Sequence, residues 1–161
     1  LCGDIDMRIS RDGTWFYHGS PIGRKSLVRL FSTVLRRDDE GQFWLVTPVE
    51  KARIQVEDAP FIAVEMTATG EGEDQEITFR TNVDDEVVAG PDHPIRVAQD
   101  GDEPAPYVHV RGGLEARLSR SVFYELVDRA ELRATGGETV MSVRSRGTLF
   151  DLGALPDEAD A

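Results

Sequence analysis

Trp15-Phe16-Tyr17-His18-Gly19, running on to Lys25-Ser26-Leu27-Val28, and Tyr107-Val108-His109-Val110-Arg111-Gly112, running on to Arg120-Ser121-Val122-Phe123, decide how this chain is built. Each is a strand-like, aromatic-led run followed by the start of an apolar helical stripe. Gly19 pairs with Gly112 at an offset of 93, and Lys25 with Arg120 at 95, so the second copy carries two extra residues. A hairpin, a helix and further strands thus occur twice, the mark of an internal repeat. The expected architecture is α+β: two related halves, 1–58 and 59–161, each an antiparallel sheet or half-barrel with one helix.

The flanks fit this frame. Ile5, Met7 and Ile9 alternate with Asp6 and Arg8, as on a half-buried strand, and Arg11-Asp12-Gly13 turns the chain into Trp15–Tyr17. Ser20-Pro21 suits a helix start with Pro at its first position, and Leu27, Leu30, Phe31, Val34 and Leu35 follow at helical spacing. Asp38-Asp39-Glu40-Gly41 ends that helix. Strands are expected at 43–46, 49–56, 61–69 and 76–83, with the polar loop 70–75 between the last two. The Pro-, Gly- and Asp-rich stretch 90–106 holds a short strand at 95–97, and 107–111 is another. Ser119 caps a second helix whose inner side carries Val122, Phe123, Leu126, Val127 and Ala130. Residues 139–143 and 148–152 close the fold. Residues 156–161 form a frayed acidic tail.

Composition excludes several functions. The chain has 161 residues, 18 basic and 30 acidic, for a net charge of −12. A nucleic-acid binder needs a basic face. No apolar run approaches the roughly 20 residues of a membrane-spanning helix. The single cysteine, Cys2, rules out an internal disulfide and a multi-cysteine zinc site. Leu1 in place of Met reads as a trimmed start, with room for a targeting segment upstream; otherwise a cytoplasmic location is expected. Charge is uneven. Residues 1–53 hold nine basic and seven acidic side chains, and 54–161 hold nine and 23. An anionic ligand is therefore expected to meet the first third of the chain.

Strand alternation sharpens the expectation. Tyr107, His109 and Arg111 share one face, while Val108 and Val110 take the other. By the repeat, Trp15 and Tyr17 match the valines and go to the core, and Phe16 and His18 match His109 and Arg111. Gly19-Ser20-Pro21-Ile22-Gly23-Arg24-Lys25-Ser26 is not a phosphate loop, because only three residues separate its glycines and Arg24 precedes Lys25. It is either an ordinary strand–helix turn or a looser anion site made of a helix start with Arg24 and Lys25. Glu50 shares a face with Ala52, Ile54 and Val56; it is either a paired or solvated strand-end carboxylate or part of a functional cleft. Arg80 and Asn82 share a strand face and read as exposed sheet surface or as site residues. His18, His93 and His109 are too scattered for a metal site, and Asp84-Asp85-Glu86 reads as a solvated acidic run. No nucleophile motif is present, and no metal or cofactor is expected.

The runs Cys2–Ile9, Asp12–Trp15, Gly19–Arg24, Leu45–Lys51, Asp58–Phe61, Phe79–Asn82 and Pro106–Arg111 resemble those of DUF1285, a bacterial family of unknown function. The resemblance extends from Cys2 to about Gly153. Family members usually carry an aromatic after the Glu-Lys pair, where this chain has Ala52. The resemblance implies a duplicated motif, a second half like a pleckstrin-homology fold, a ligand site between the halves, a nucleotide-like ligand and a role in signal transduction.

The functional expectation is a non-enzymatic sensor of a nucleotide-like or other anionic small molecule, held in a hydrophilic seam between the halves. Arg24, Lys25, Glu50, Arg80, Asn82, Tyr107, His109 and Arg111 are its candidate ligand-binding residues, with arginine gripping phosphate and Tyr107 stacking on a base. The competing readings are a protein-interaction module without a small ligand, and an enzyme using Glu50 or His109 as a base.

Overall fold

The computed structural model describes residues 2–155; the expected acidic tail 156–161 lies outside them. The first half runs β1 (Cys2–Ile9), β2 (Trp15–Tyr17), β3 (Ser20–Pro21), α1 (Lys25–Thr33), β4 (Leu35–Arg37), β5 (Phe43–Val46) and β6 (Lys51–Val56). The second runs β7 (Phe61–Thr69), β8 (Glu76–Thr81), β9 (Glu86–Val88), β10 (Ile95–Asp100), β11 (Glu103–Arg111), β12 (Leu114–Leu118), α2 (Arg120–Val127), β13 (Glu131–Thr135), β14 (Glu138–Ser145) and β15 (Thr148–Ala154).

The described residues are mostly sheet, with two α-helices and two repeated halves. One six-stranded sheet has the order β3-β2-β1-β6-β5-β4, and the other β10-β11-β12-β7-β8-β9. Both share one plan: two antiparallel meanders joined through a parallel pair, β1 with β6 and β7 with β12. Three strands, a helix and three strands also recur as β1–β6 around α1 and β10–β15 around α2, so β2 and β11, the strands quoted at the outset, occupy matching places. Strands β7–β9 stand outside that second correspondence. They complete the curled half-barrel sheet, against which α2 and the sheet β13-β14-β15 lie.

Several local expectations change. Ser20-Pro21 opens no helix: His18 (φ 50°) and Gly19 (φ 80°) form a tight hairpin turn, and Ser20–Pro21 return as an edge strand where a missing N–H costs nothing. The helix begins at Lys25 behind Arg24, which makes no side-chain cap. Leu30 is exposed, and Leu35 is wholly buried on β4 rather than helical. Asp38–Gly41 is the β4–β5 hairpin turn, fixed by Asp38, which accepts from the N–H groups of Glu40 and Gln42 and from Trp44 Nε1. Tyr17 stays exposed instead of joining the core. Strands β9, β12 and β13 were not expected, and β11 begins four residues early. Pro104 and Pro106 are tolerated there because both omit an N–H on one edge, and β12 pairs with β11 only from Tyr107. Asn82 lies in the turn after β8, not on a strand face with Arg80.

One continuous apolar core runs through both halves, from Ile9, Trp15 and Leu35 to Phe61, Phe79, Leu114 and Leu126. The seam is therefore hydrophilic only at its rim, not throughout as expected. Ser119 caps α2 as foreseen, accepting from Val122 N–H at 3.3 Å. Ser119→Ala is expected to cost about 1 kcal/mol, a melting point lower by about 2–4 °C, read by calorimetry. Among the described residues no helix is long and apolar enough to cross a membrane.

Candidate functional site

Three charged clusters along the seam bear on function. The first is built on the turn between β8 and β9. Thr81, fully buried, accepts the N–H groups of Val83 (3.3 Å) and Asp85 (3.2 Å) on its Oγ1. Asp84 takes a positive φ of 67°. Asp84 then meets Lys25 (3.3 Å) and Arg29 (3.9 Å) of α1 and Arg80 (3.2 Å) of β8. Asp85 accepts from Arg111 Nη1 at 2.7 Å, and Arg111 Nη2 donates to the Ser32 carbonyl at the end of α1 at 3.0 Å. Asn82 accepts from Ile62 N–H (3.0 Å) and donates to the Gly13 carbonyl (3.4 Å). The acidic run expected to be solvated is thus a clasp between the halves. The hydrogen bond from Lys25, reinforced by the charges of Lys25 and Arg29 and by Arg80, holds Asp84 below its ordinary 3.8. Its contribution to stability is present above that pH and is lost as pH falls through the depressed value.

The second place is Asp58, in the link between the halves. Tyr107 Oη donates to it at 2.6 Å and Arg117 Nη1 at 3.0 Å. The Arg96 guanidinium lies 4.4 Å from the Tyr107 ring centre and pairs with Glu115 through two bonds. Burial first, and then its bond to Asp58, push the Tyr107 hydroxyl above its ordinary 10.0. With cations over its ring, Tyr107 is not free to stack on a base as expected.

The third place is a cleft of about 340 Å³ lined by Thr33, Leu35, Arg36, Arg37, Arg111, Gly112 and Leu114. Arg36 Nη1 donates to the carbonyls of Thr33 (3.1 Å) and Leu35 (2.8 Å), and Arg37 Nη1 to that of Gly113 across the seam (3.2 Å). Among the described residues neither arginine meets a carboxylate.

Of the expected site residues, Lys25, Arg80, Asn82 and Arg111 gather around the clasp. Arg24 is exposed at the start of α1. His109 is held by backbone: Nδ1 lies 3.2 Å from the Asp92 carbonyl, and Nε2 accepts from Gly113 N–H at 3.0 Å. Glu50 is exposed rather than core-facing, in a turn where its N–H donates to Thr47 Oγ1 (3.2 Å). It borders an apolar groove in the first half. Arg36, Arg37, Asp58, Asp84 and Asp85 were missed. The adjacent arginines just before Asp38-Asp39-Glu40 were the one available signal. No group of three His, Cys, Asp or Glu side chains able to hold a metal occurs among the described residues.

Two sheet-rich halves of one plan, sharing a core and clasped by charge at the rim, define a duplicated β-dominated module. Profiles described as the N-terminal domain and the C-terminal domain of DUF1285, a protein of unknown function, match residues 1–59 and 60–152. The chain belongs to the DUF1285 family. A solved DUF1285 family protein from Silicibacter pomeroyi DSS-3 is 51% identical, covers 96% of this chain and 84% of its own, and superposes with a TM-score of 0.90. A second, from Shewanella baltica OS155, is 26% identical over 76% of this chain and 90% of its own, with a TM-score of 0.60. No curated protein matches.

Proposed function

We propose that this protein is a ligand-sensing module in signal transduction that holds a small phosphorylated metabolite or other anion in the seam cleft, gripped by Arg36 and Arg37 beside Arg111. One observation carries the reading: in a chain of net charge −12, two adjacent arginines face an inter-half cleft without a carboxylate partner among the described residues. A guanidinium has five N–H donors, and each of these two spends only Nη1 on backbone carbonyls. The remaining donors suit the oxygens of a phosphate. Lys25, Arg80 and Arg111 are less available, because Asp84, Asp85 and Glu65 already pair with them. Among the described residues no aromatic side chain lines the cleft, which favours a sugar phosphate or similar anion over recognition by base stacking. A ligand spanning β4 and the β11–β12 turn would couple the halves, as a sensor requires. A pleckstrin-homology-like character of the second half belongs to the same reading, supported by a curled sheet followed by one helix.

The test is a thermal-shift screen of nucleotides, sugar phosphates and inorganic phosphate. A ligand at about 100 times its dissociation constant adds about 2.7 kcal/mol, a rise of several degrees. Arg36→Ala and Arg37→Ala are each expected to cancel the rise. A rise that survives both, or none with any phosphorylated compound, overturns the proposal.

A further inference from the structure

A second site lies in the first half, away from the seam. A groove of about 490 Å³ lies between Leu27 and Phe31 of α1 and Met7, Leu45 and Ala52 of the sheet. That volume falls in the range of small-molecule sites. Ala52 is the smallest side chain lining the groove. It pairs with Leu45 on one side and Gly3 on the other, so its strand contributes only a methyl group at this place. The walls are apolar, and polar groups occur only at the rim: Tyr17, Thr47 and Glu50.

The rim sets the chemistry. Among the described residues Glu50 is the one charged residue lining the groove, and its carboxylate has no ionic partner. Its neighbour Lys51 does not supply one, since its Nζ lies over the Trp44 ring at 4.3 Å. The Tyr17 hydroxyl likewise has no hydrogen-bond partner among the described residues. A groove that buries an apolar body and ends on an unpaired carboxylate beside a free hydroxyl complements an amphiphilic cation. The geometry points to this groove as a binding site for a small organic amine: an aryl or alkyl body between α1 and the sheet, and one ammonium group on Glu50. This site is independent of the anion cleft and opposite to it in charge preference.

Titration with phenylbutylammonium, phenylbutanol and phenylbutyrate tests it, since the three differ only in the head group. Tryptophan fluorescence is a suitable readout, because Trp15 stacks on Phe31 with ring centres 6.2 Å apart. The ammonium is expected to bind about tenfold more tightly than the alcohol, the effect of one charge-assisted hydrogen bond, with the carboxylate weakest. Glu50→Gln is expected to bring the ammonium down to the level of the alcohol. Ala52→Phe, by filling the groove, is expected to abolish binding of all three. Should Ala52→Phe fail to fold, the Glu50→Gln result decides alone, because that position is exposed. Equal affinity for ammonium and carboxylate, no binding of any probe, or an ammonium preference untouched by Glu50→Gln overturns the proposal. So does a dimer in solution that covers the groove.

Discussion

Asp58→Ala is expected to lower the unfolding free energy by about 3 kcal/mol, at the low end for breaking a buried pair because Arg117 keeps some access to water. For a chain of 161 residues that is a melting point lower by roughly 6–12 °C. The reason is that one carboxylate serves two groups. Tyr107 Oη and Arg117 Nη1 both donate to Asp58, at 2.6 and 3.0 Å, and the side chains of Asp58 and Arg117 are only 15% and 23% exposed. Removing the carboxylate leaves a hydroxyl and a guanidinium without their partner in a confined space. Tyr107→Phe keeps the pair of Asp58 with Arg117 and loses the 2.6 Å bond to Asp58 and a long 3.4 Å one from Arg117, and is expected to cost about 1 kcal/mol. It also carries a pH signature. The folded chain holds the Tyr107 proton above its ordinary 10.0, so this contribution is complete below that pH and is lost as pH rises through the folded value. The phenylalanine variant should lose that alkaline decline. Urea melts at pH 7 and pH 11 measure both effects. A loss under about 1 kcal/mol for Asp58→Ala, the size of one ordinary hydrogen bond, would mean that water replaces the carboxylate.

Gly13→Ala is expected to cost a similar amount, by another route. Gly13 ends the first hairpin at φ +89°, and a Cβ there would stand 2.7 Å from Ile62 Cγ1 and 2.9 Å from Asn82 Nδ2. Both neighbours belong to the second half, and Asn82 ties Gly13 to Ile62 through its amide. The left-handed backbone costs about 1–2 kcal/mol, and forcing the halves apart at a packed contact adds roughly as much, about 3 kcal/mol together. Gly19→Ala separates the two effects. Gly19 has φ +80° but nothing within 4 Å of its would-be Cβ, so only the backbone cost is expected. Denaturant midpoints of the two variants compare them directly, and equal losses would show that the hairpin does not press on the Asn82 turn.

Much of the fold was legible because its signals are local. The expected strands at 43–46, 61–69 and 76–83 match β5, β7 and β8 within two residues, and alternation from Ile5 to Ile9 marked the later part of β1, since a strand facing a core repeats every two positions. Ser119 announced α2 because a hydroxyl before an apolar stripe satisfies a free N–H. The repeat was readable from two short stretches, and the three-strand, helix, three-strand order follows it. The misreadings have physical causes. Ser20-Pro21 suits a helix start and an edge strand equally well, and the turn at His18-Gly19 decides between them. β13 was invisible because it is mostly exposed, with Leu132 outward, so no apolar alternation marks it.

The site was far less legible. Residue chemistry nominated Arg111, Lys25, Arg80 and Tyr107 as cations and aromatics free to meet a ligand. It did not show that Asp84, Asp85 and Asp58 would already be holding them. It did not single out Arg36 and Arg37, whose distinction lies in the carboxylates they do not meet. By itself, the sequence determined the duplicated plan, the capped second helix and the family, because each depends on neighbours a few residues apart or on motifs read in order. Only the tertiary structure decided which charges are spent and which remain available. An ion pair such as Lys25 with Asp84 joins residues 59 positions apart, and no short-range periodicity encodes which carboxylate a cation will find once the halves close on their shared core.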